Sequence, residues 1–127
     1  VMRSGTGAVA VSYGSPTSVP SGNFGWAVAG LPDIDGDGRG EVVVGAPAET
    51  AGGLTQAGRV YVLSGQTRNV LFVFTSPNPE QNGRFGQSVA AGDANNAGGY
   101  EVVVGAPSET AGGDDNAGRV YVFSVQD

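Results

Sequence analysis

The chain has 127 residues, among them 23 glycines and seven prolines, and it contains neither cysteine nor histidine. This length suits a single domain, and the glycine and proline content favours short strands joined by tight turns over helices. The net charge of −6 and the six widely spaced arginines argue against a nucleic-acid partner, and no apolar run approaches the length of a membrane span.

Apolar runs between turn signals predict eight short strands, four in each half of the chain. The predicted strands lie near residues 7–13, 24–30, 41–46, 58–64, 69–75, 85–91, 101–106 and 118–124. The third of them contains Val42-Val43-Val44, a β-branched run that is typical of a strand. The sequence therefore predicts an all-β fold.

An acidic loop separates the second and third predicted strands. It reads Asp33-Ile-Asp-Gly-Asp-Gly-Arg-Gly-Glu41, with carboxylates at alternate positions around glycines. Calcium is held by six to eight oxygens. An EF-hand begins with a similar run but needs a glutamate at its twelfth loop position. That position is Val44 in this sequence, so the loop is not an EF-hand. A solvated Asp/Gly turn without metal is the alternative. We predict a calcium loop between two strands, with these ligands: Asp33, Asp35, Asp37, the carbonyl of Arg39, and Glu41.

The two halves of the chain repeat each other. The run from Glu41 to Pro47 returns 60 residues later, from Glu101 to Pro107, and Phe24-Gly25 returns as Phe85-Gly86. Repeat one spans about residues 4–64 and repeat two about residues 65–127. We expect the two repeats to belong to a single structural unit, residues 1–127. Four-stranded units of this length are typical of propeller blades, which must stack to cover their apolar faces.

The order of these motifs resembles the FG-GAP repeat of integrin α-subunit β-propellers. Phe24-Gly25, the acidic loop and Gly45-Ala46-Pro47 form one copy, and Phe85-Gly86 with Gly105-Ala106-Pro107 forms another. The resemblance implies two four-stranded FG-GAP blades per chain and the same calcium ligands. It also implies ligand-binding loops on the face opposite the calcium loops, and it associates the chain with cell adhesion.

The second acidic loop is an eroded copy of the first. It keeps Asp93, Asn95 and Glu101 but has Ala97 where the first loop has Asp37. We expect weaker calcium binding there, through Asp93, Asn95, Gly99 and Glu101. A metal-free turn stabilised by Asx hydrogen bonds is the alternative.

Catalysis is not expected, because a chain without histidine, cysteine or lysine has few groups that could handle protons. The carboxylate pairs available for glycoside hydrolysis outside the calcium loops are Glu49 with Glu109 and Asp114 with Asp115. Glu49 and Glu109 occupy equivalent positions beside Gly-Ala-Pro, which favours turn hydrogen bonding over glycoside hydrolysis. Trp26 is expected in the core between blades, and stacking on a sugar is its alternative.

The sequence thus predicts a non-catalytic scaffold or recognition module with structural calcium, in an extracellular, cell-surface or periplasmic setting. A glycan-binding lectin and a self-assembling module are the alternatives. Two blades cannot close a propeller. The expected partners are copies of the chain in a head-to-tail ring of three or four, or the rest of a longer propeller, with a protein or glycan as ligand. In such a ring, the N-terminal strand would complete the last blade of another copy.

Overall fold

The computed structural model describes Gly7, residues 11–94 and residues 99–125. This part of the chain contains seven strands and no helix, so no helix in it could span a membrane. The strands are β1 (Ala27–Leu31), β2 (Glu41–Ala46), β3 (Arg59–Ser64), β4 (Val70–Phe74), β5 (Ser88–Gly92), β6 (Glu101–Ala106) and β7 (Arg119–Ser124). The all-β prediction is confirmed.

The strands form two antiparallel sheets that follow chain order. The first sheet runs β1-β2-β3-β4 and the second runs β5-β6-β7. The register repeats as well: Val44 lies between Val28 and Tyr61 in the first sheet, as Val104 lies between Val89 and Tyr121 in the second. Each sheet is therefore a blade built to the same plan, with four strands in the first and three among the described residues of the second.

The innermost strand of each blade begins later than the sequence predicts, at Ala27 and Ser88 instead of residues 24 and 85. The residues before β1 form a turn, in which the amide of Trp26 donates to the carbonyl of Asn23 at 2.9 Å. Asn23 and Gly25 have φ values of 63° and 95°, which a strand does not allow. Of the strand predicted at 7–13, residues 8–10 lie outside the described chain, and residues 11–13 are not in a strand.

The two blades pack face to face around one apolar core. Alternate residues of a strand point to the same face of a sheet, so Val60 and Val62 of β3 both face the second blade. They are fully buried against Val102 and Val104 of β6, and Phe85 fills the space between the blades. Phe74 of β4 stacks on Phe123 of β7 with ring centroids 4.4 Å apart. This core holds the two blades in a set position relative to each other, and so it also sets the positions of the loops that join their strands.

The opposite face of the first blade is partly covered by residues that precede β1. Tyr13 and Phe24 pack over a buried cluster formed by Val44, Tyr61 and Leu63. The hydroxyl of Tyr13 also donates to the carbonyl of Ser64 at 3.0 Å. The segment before the first blade is therefore part of its packing.

Candidate metal centre

The acidic loop joins the end of β1 to the start of β2. Gly36 and Gly38 have φ values of 80° and 92°, in the left-handed region that glycine adopts without strain. These two residues let the chain coil tightly enough for its side chains to converge. One carboxylate oxygen from each of four residues lies within 4.8 Å of the others: Asp33, Asp35, Asp37 and Glu41.

Asp33 is held by the backbone of its own loop. Its carboxylate accepts hydrogen bonds from the amides of Gly36 at 2.7 Å and Gly38 at 2.8 Å. The Gly38 bond is the main reason that the pKa of Asp33 lies below its usual value. The Asp33 carboxylate is therefore ionised at neutral pH and can act as a metal ligand through its oxygens.

Asp35, which is exposed, and Asp37, which is half-buried, complete the cluster. The Asp37 amide donates to Asp35 at 3.1 Å, and the Ser64 hydroxyl donates to Asp37 at 2.8 Å. Desolvation raises the pKa of Asp35, and the neighbouring Asp37 charge adds to the rise. The Ser64 contact connects the loop to the end of β3.

Glu41 lies beneath the three aspartates and is only 2% exposed. Its Oε1 accepts a hydrogen bond from the Ile34 amide at 2.6 Å, whereas its Oε2 is buried without a hydrogen-bond partner. Burial raises the pKa of Glu41, and repulsion from the aspartates raises it further. A buried carboxylate oxygen without a partner is costly. A hard divalent cation among these four groups would remove that cost, so the side chains fit calcium.

Arg39 follows in the same loop, and its amide donates to Asp37 at 2.8 Å. The carbonyl of Arg39 stays a predicted ligand. The structure thus brings together all four side chains that the spacing selects.

The second loop reproduces one contact of the first. The amide of Ala94 donates to Oε1 of buried Glu101 at 2.8 Å, as Ile34 does to Glu41. Asp93 and Gly99 are within the described chain, but Asn95 and Ala97 lie outside the described residues. Calcium binding by this loop therefore stays a prediction.

Glu49 and Glu109 make contacts that extend beyond their own turns. Each side chain is fully buried, and each accepts a 2.5 Å hydrogen bond from a tyrosine hydroxyl, from Tyr61 and Tyr121 respectively. The prediction of hydrogen bonding within the turn missed these pairs. The repeated spacing of 12 residues between glutamate and tyrosine was the signal available in the sequence.

Trp26 does not lie in the core between the blades. Its side chain is 56% exposed, and the guanidinium carbon of Arg84 lies 5.9 Å from the ring centroid. The expectation of a core position was wrong, because the turn before β1 places the side chain beside an open groove on the second blade. This exposure leaves an aromatic face accessible to a ligand.

Two stacked antiparallel blades, with an acidic loop between the first two strands of the first, define a β-propeller segment with a candidate metal loop. The chain belongs to the FG-GAP repeat family, whose profile matches residues 24–63 and 85–123. The predicted resemblance is thereby confirmed.

Longer proteins contain a region similar to this chain. The chain is 36% identical to mouse phosphatidylinositol-glycan-specific phospholipase D over 113 residues, covering 84% of this chain and 13% of that protein. It is 34% identical to the human phospholipase over 115 residues, with 84% and 14% coverage. It is 42% identical to human integrin alpha-11 over 97 residues, covering 72% of this chain and 8% of the integrin. The chain thus spans a small part of each relative.

Proposed function

We propose that this chain is a calcium-binding FG-GAP propeller segment, in which the metal is structural and the role is scaffolding or recognition. The observation that carries the proposal is the unpartnered, buried Oε2 of Glu41 within a cluster of four carboxylates. Asp33, Asp35, Asp37 and Glu41 would hold the ion, with the Arg39 carbonyl completing the shell.

Calcium at this site would fix the geometry of three strands. Glu41 begins β2, the aspartates follow β1, and the Ser64 hydroxyl at the end of β3 donates to Asp37. An ion there would offset the repulsion among the carboxylates. Because calcium would bind only the folded form, it would stabilise the fold by RT ln(1 + [L]/Kd), about 2.7 kcal/mol at 100 times Kd.

Thermal unfolding with and without a calcium chelator tests this role. We expect Tm to rise with calcium concentration and to fall when the chelator is added. The Asp35→Asn variant should lose most of the calcium-dependent rise. Asp114→Asn is the matched control, because Asp114 is exposed and lies outside the loop. An unchanged Tm in chelator would refute a structural metal.

The role is proposed to be non-catalytic and the setting extracellular, cell-surface or periplasmic. The matched region of the relatives is the repeat itself, and the residues that could handle protons are few. Loops on rigid strands are where recognition usually lies. The loops opposite the calcium loop, 48–57 and 108–117, are therefore the proposed contact surface for a protein ligand.

A glycan-binding role is a second candidate, favoured by the exposed ring of Trp26 beside Arg84. Aromatic faces next to polar groups suit sugar rings, which present apolar and hydroxyl surfaces. A glycan array with the whole chain tests this candidate. Binding that Trp26→Ala abolishes and Tyr13→Phe retains would support it, and an array without signal would exclude it.

A further inference from the structure

The acidic loop contains both Asp-Gly pairs of the sequence, Asp35-Gly36 and Asp37-Gly38. An aspartate before glycine is chemically labile, because glycine has no side chain to keep its amide nitrogen away from the preceding carboxyl carbon. Attack by that nitrogen closes a five-membered succinimide ring, and water reopens the ring at either carbonyl. One product is aspartate and the other is isoaspartate, in which the backbone runs through the former side chain. The loop therefore carries two candidate sites of backbone isomerisation.

Asp33 holds both amides that this reaction needs. The Gly36 amide donates to Oδ1 of Asp33 at 2.7 Å, and the Gly38 amide donates to Oδ2 at 2.8 Å. Hydrogen bonds to an ionised acceptor are among the strongest in proteins, and each nitrogen must give up its bond before it can attack. One carboxylate thus restrains both nucleophiles.

The two carboxyl groups that could be attacked are held unequally. Asp37 accepts hydrogen bonds on both oxygens, from the Arg39 amide and from the Ser64 hydroxyl, each at 2.8 Å. These bonds tie Asp37 to its own loop and to the end of β3. Asp35 is exposed, and the bond that it accepts from the Asp37 amide is longer, at 3.1 Å. Asp35-Gly36 is therefore the more reactive pair.

Packing does not protect this pair. Gly36 is exposed, and a Cβ placed on it would meet no atom within 4 Å beyond its chain neighbours. The restraint on Asp35-Gly36 therefore comes from the hydrogen bonds of the loop and, in the proposed function, from metal ligation. An Asp35 carboxylate that serves as a metal ligand cannot at the same time turn its carbon towards the Gly36 amide.

We propose that Asp35 is a site of spontaneous isoaspartate formation, which the Asp33 carboxylate and calcium ligation together suppress. The inference rests on the proposed function and concerns the same loop. In the reaction, the Gly36 nitrogen loses its proton and bonds to Cγ of Asp35, while one carboxyl oxygen leaves as water. A second water molecule then breaks the bond between that nitrogen and the backbone carbonyl carbon of Asp35. The mass of the chain is unchanged, and no oxidant or reductant is needed.

Isoaspartate at position 35 disables the metal centre. The backbone gains one carbon atom at that residue, and the free carboxylate becomes attached directly to Cα. The carboxylate therefore leaves the cluster in which four side chains place oxygens within 4.8 Å of one another. A loop that has reacted in this way offers calcium one ligand fewer, so the loss of the ion becomes irreversible.

Ageing the chain at neutral pH, in calcium or in chelator, tests the inference. Chromatography of the digested protein separates isoaspartate from aspartate peptides of equal mass, and fragmentation in the mass spectrometer assigns the position. We expect isoaspartate at residue 35 to accumulate several-fold faster in chelator than in calcium. Residue 37 should react more slowly than residue 35 in both conditions.

The Asp33→Asn variant tests the restraint by Asp33 without calcium. It keeps the size of the side chain but removes the charge that holds the Gly36 amide. In chelator, isoaspartate at residue 35 should form about tenfold faster than in the wild type, the rate equivalent of a hydrogen bond to a charged group. Asp93→Asn, at the equivalent position of the second loop, is the matched control and should keep the wild-type rate.

Asn82-Gly83, the one Asn-Gly pair of the sequence, supplies an internal reference. Asparagine reacts through the same ring with loss of ammonia, and the buried Gly83 amide donates to the Glu80 carbonyl at 3.0 Å. Its rate reports opening of the turn between the blades, so the ratio of the Asp35 rate to the Asn82 rate should rise in chelator. The Asp35→Asn variant is itself an Asn-Gly pair, so its thermal unfolding is measured on freshly prepared protein.

Three results would overturn the inference: deamidation at Asn82 without isoaspartate at residue 35 in chelator, equal rises at both positions, or equal rates in the wild type and Asp33→Asn. The proposed function is tested separately by thermal unfolding. A Tm that rises with calcium, with isomerisation unchanged by calcium and by Asp33→Asn, refutes this inference alone. A Tm indifferent to calcium, with faster isomerisation in Asp33→Asn, refutes the structural metal and the protection by calcium but supports the restraint by Asp33.

Discussion

Tyr61 donates its phenolic hydrogen bond to Oε1 of Glu49 across 2.5 Å, inside the first blade. The glutamate is fully buried and the tyrosine is 1% exposed. Ser15 and Thr17 donate to the same carboxylate at 2.6 Å and 2.9 Å, and the Nε atom of Arg59 lies 3.9 Å from it. The Gly-Ala-Pro turn, β3 and the segment before β1 therefore meet at one buried acid.

Replacing Tyr61 by phenylalanine should destabilise the chain by about 1–3 kcal/mol, because a buried carboxylate loses a donor while the ring remains. Urea unfolding in calcium measures the change. Tyr13→Phe is the control: its hydroxyl donates to the Ser64 carbonyl instead of to a charge, so about 0.5–1.5 kcal/mol is expected. An equal decrease in the free energy of unfolding for the two variants would show that the hydrogen bond to Glu49 stabilises the fold no more than the bond to the Ser64 carbonyl does.

Alkaline pH should weaken the fold through the same tyrosine. Burial raises the pKa of Tyr61, and its bond to Glu49 raises it further. Above the ordinary tyrosine pKa of about 10, the unfolded chain releases this proton and the folded chain keeps it, so stability falls as pH rises. Unfolding free energies from pH about 9 upward should decline less steeply in Tyr61→Phe. Parallel declines would contradict the assignment.

The contact between the blades should depend on Gly45. A Cβ there would overlap the backbone oxygen of Gly86, which cannot move without shifting the second blade. Gly45→Ala should therefore cost about 3 kcal/mol or more. Gly30→Ala is the matched control, because a Cβ at Gly30 meets no atom within 4 Å. Tolerance of both substitutions would show that the blades adjust independently.

Much of the fold follows from local sequence patterns. The β-branched runs and glycine turns place the seven observed strands, and the alternating acids select the four carboxylates that converge within 4.8 Å. The strand starts could not be predicted, because Asn23 adopts a left-handed conformation that is uncommon outside glycine. The exposure of Trp26 also escaped prediction, since it depends on how the two blades pack.

The two acidic loops should differ in calcium affinity. Titration calorimetry of the wild type should show a stronger site, with a second that is weaker or undetectable. Asp33→Asn should abolish the stronger site, and Asp93→Asn should leave it intact. Loss of the stronger site in Asp93→Asn instead would assign it to the second loop.

The central claim is that calcium sits among the carboxylates between β1 and β2. Crystals grown in calcium, with anomalous diffraction data, test it most directly. The account predicts an anomalous peak about 2.3–2.6 Å from oxygens of Asp33, Asp35, Asp37, Glu41 and the Arg39 carbonyl. An ordered loop in saturating calcium, with no peak among these oxygens, would contradict it.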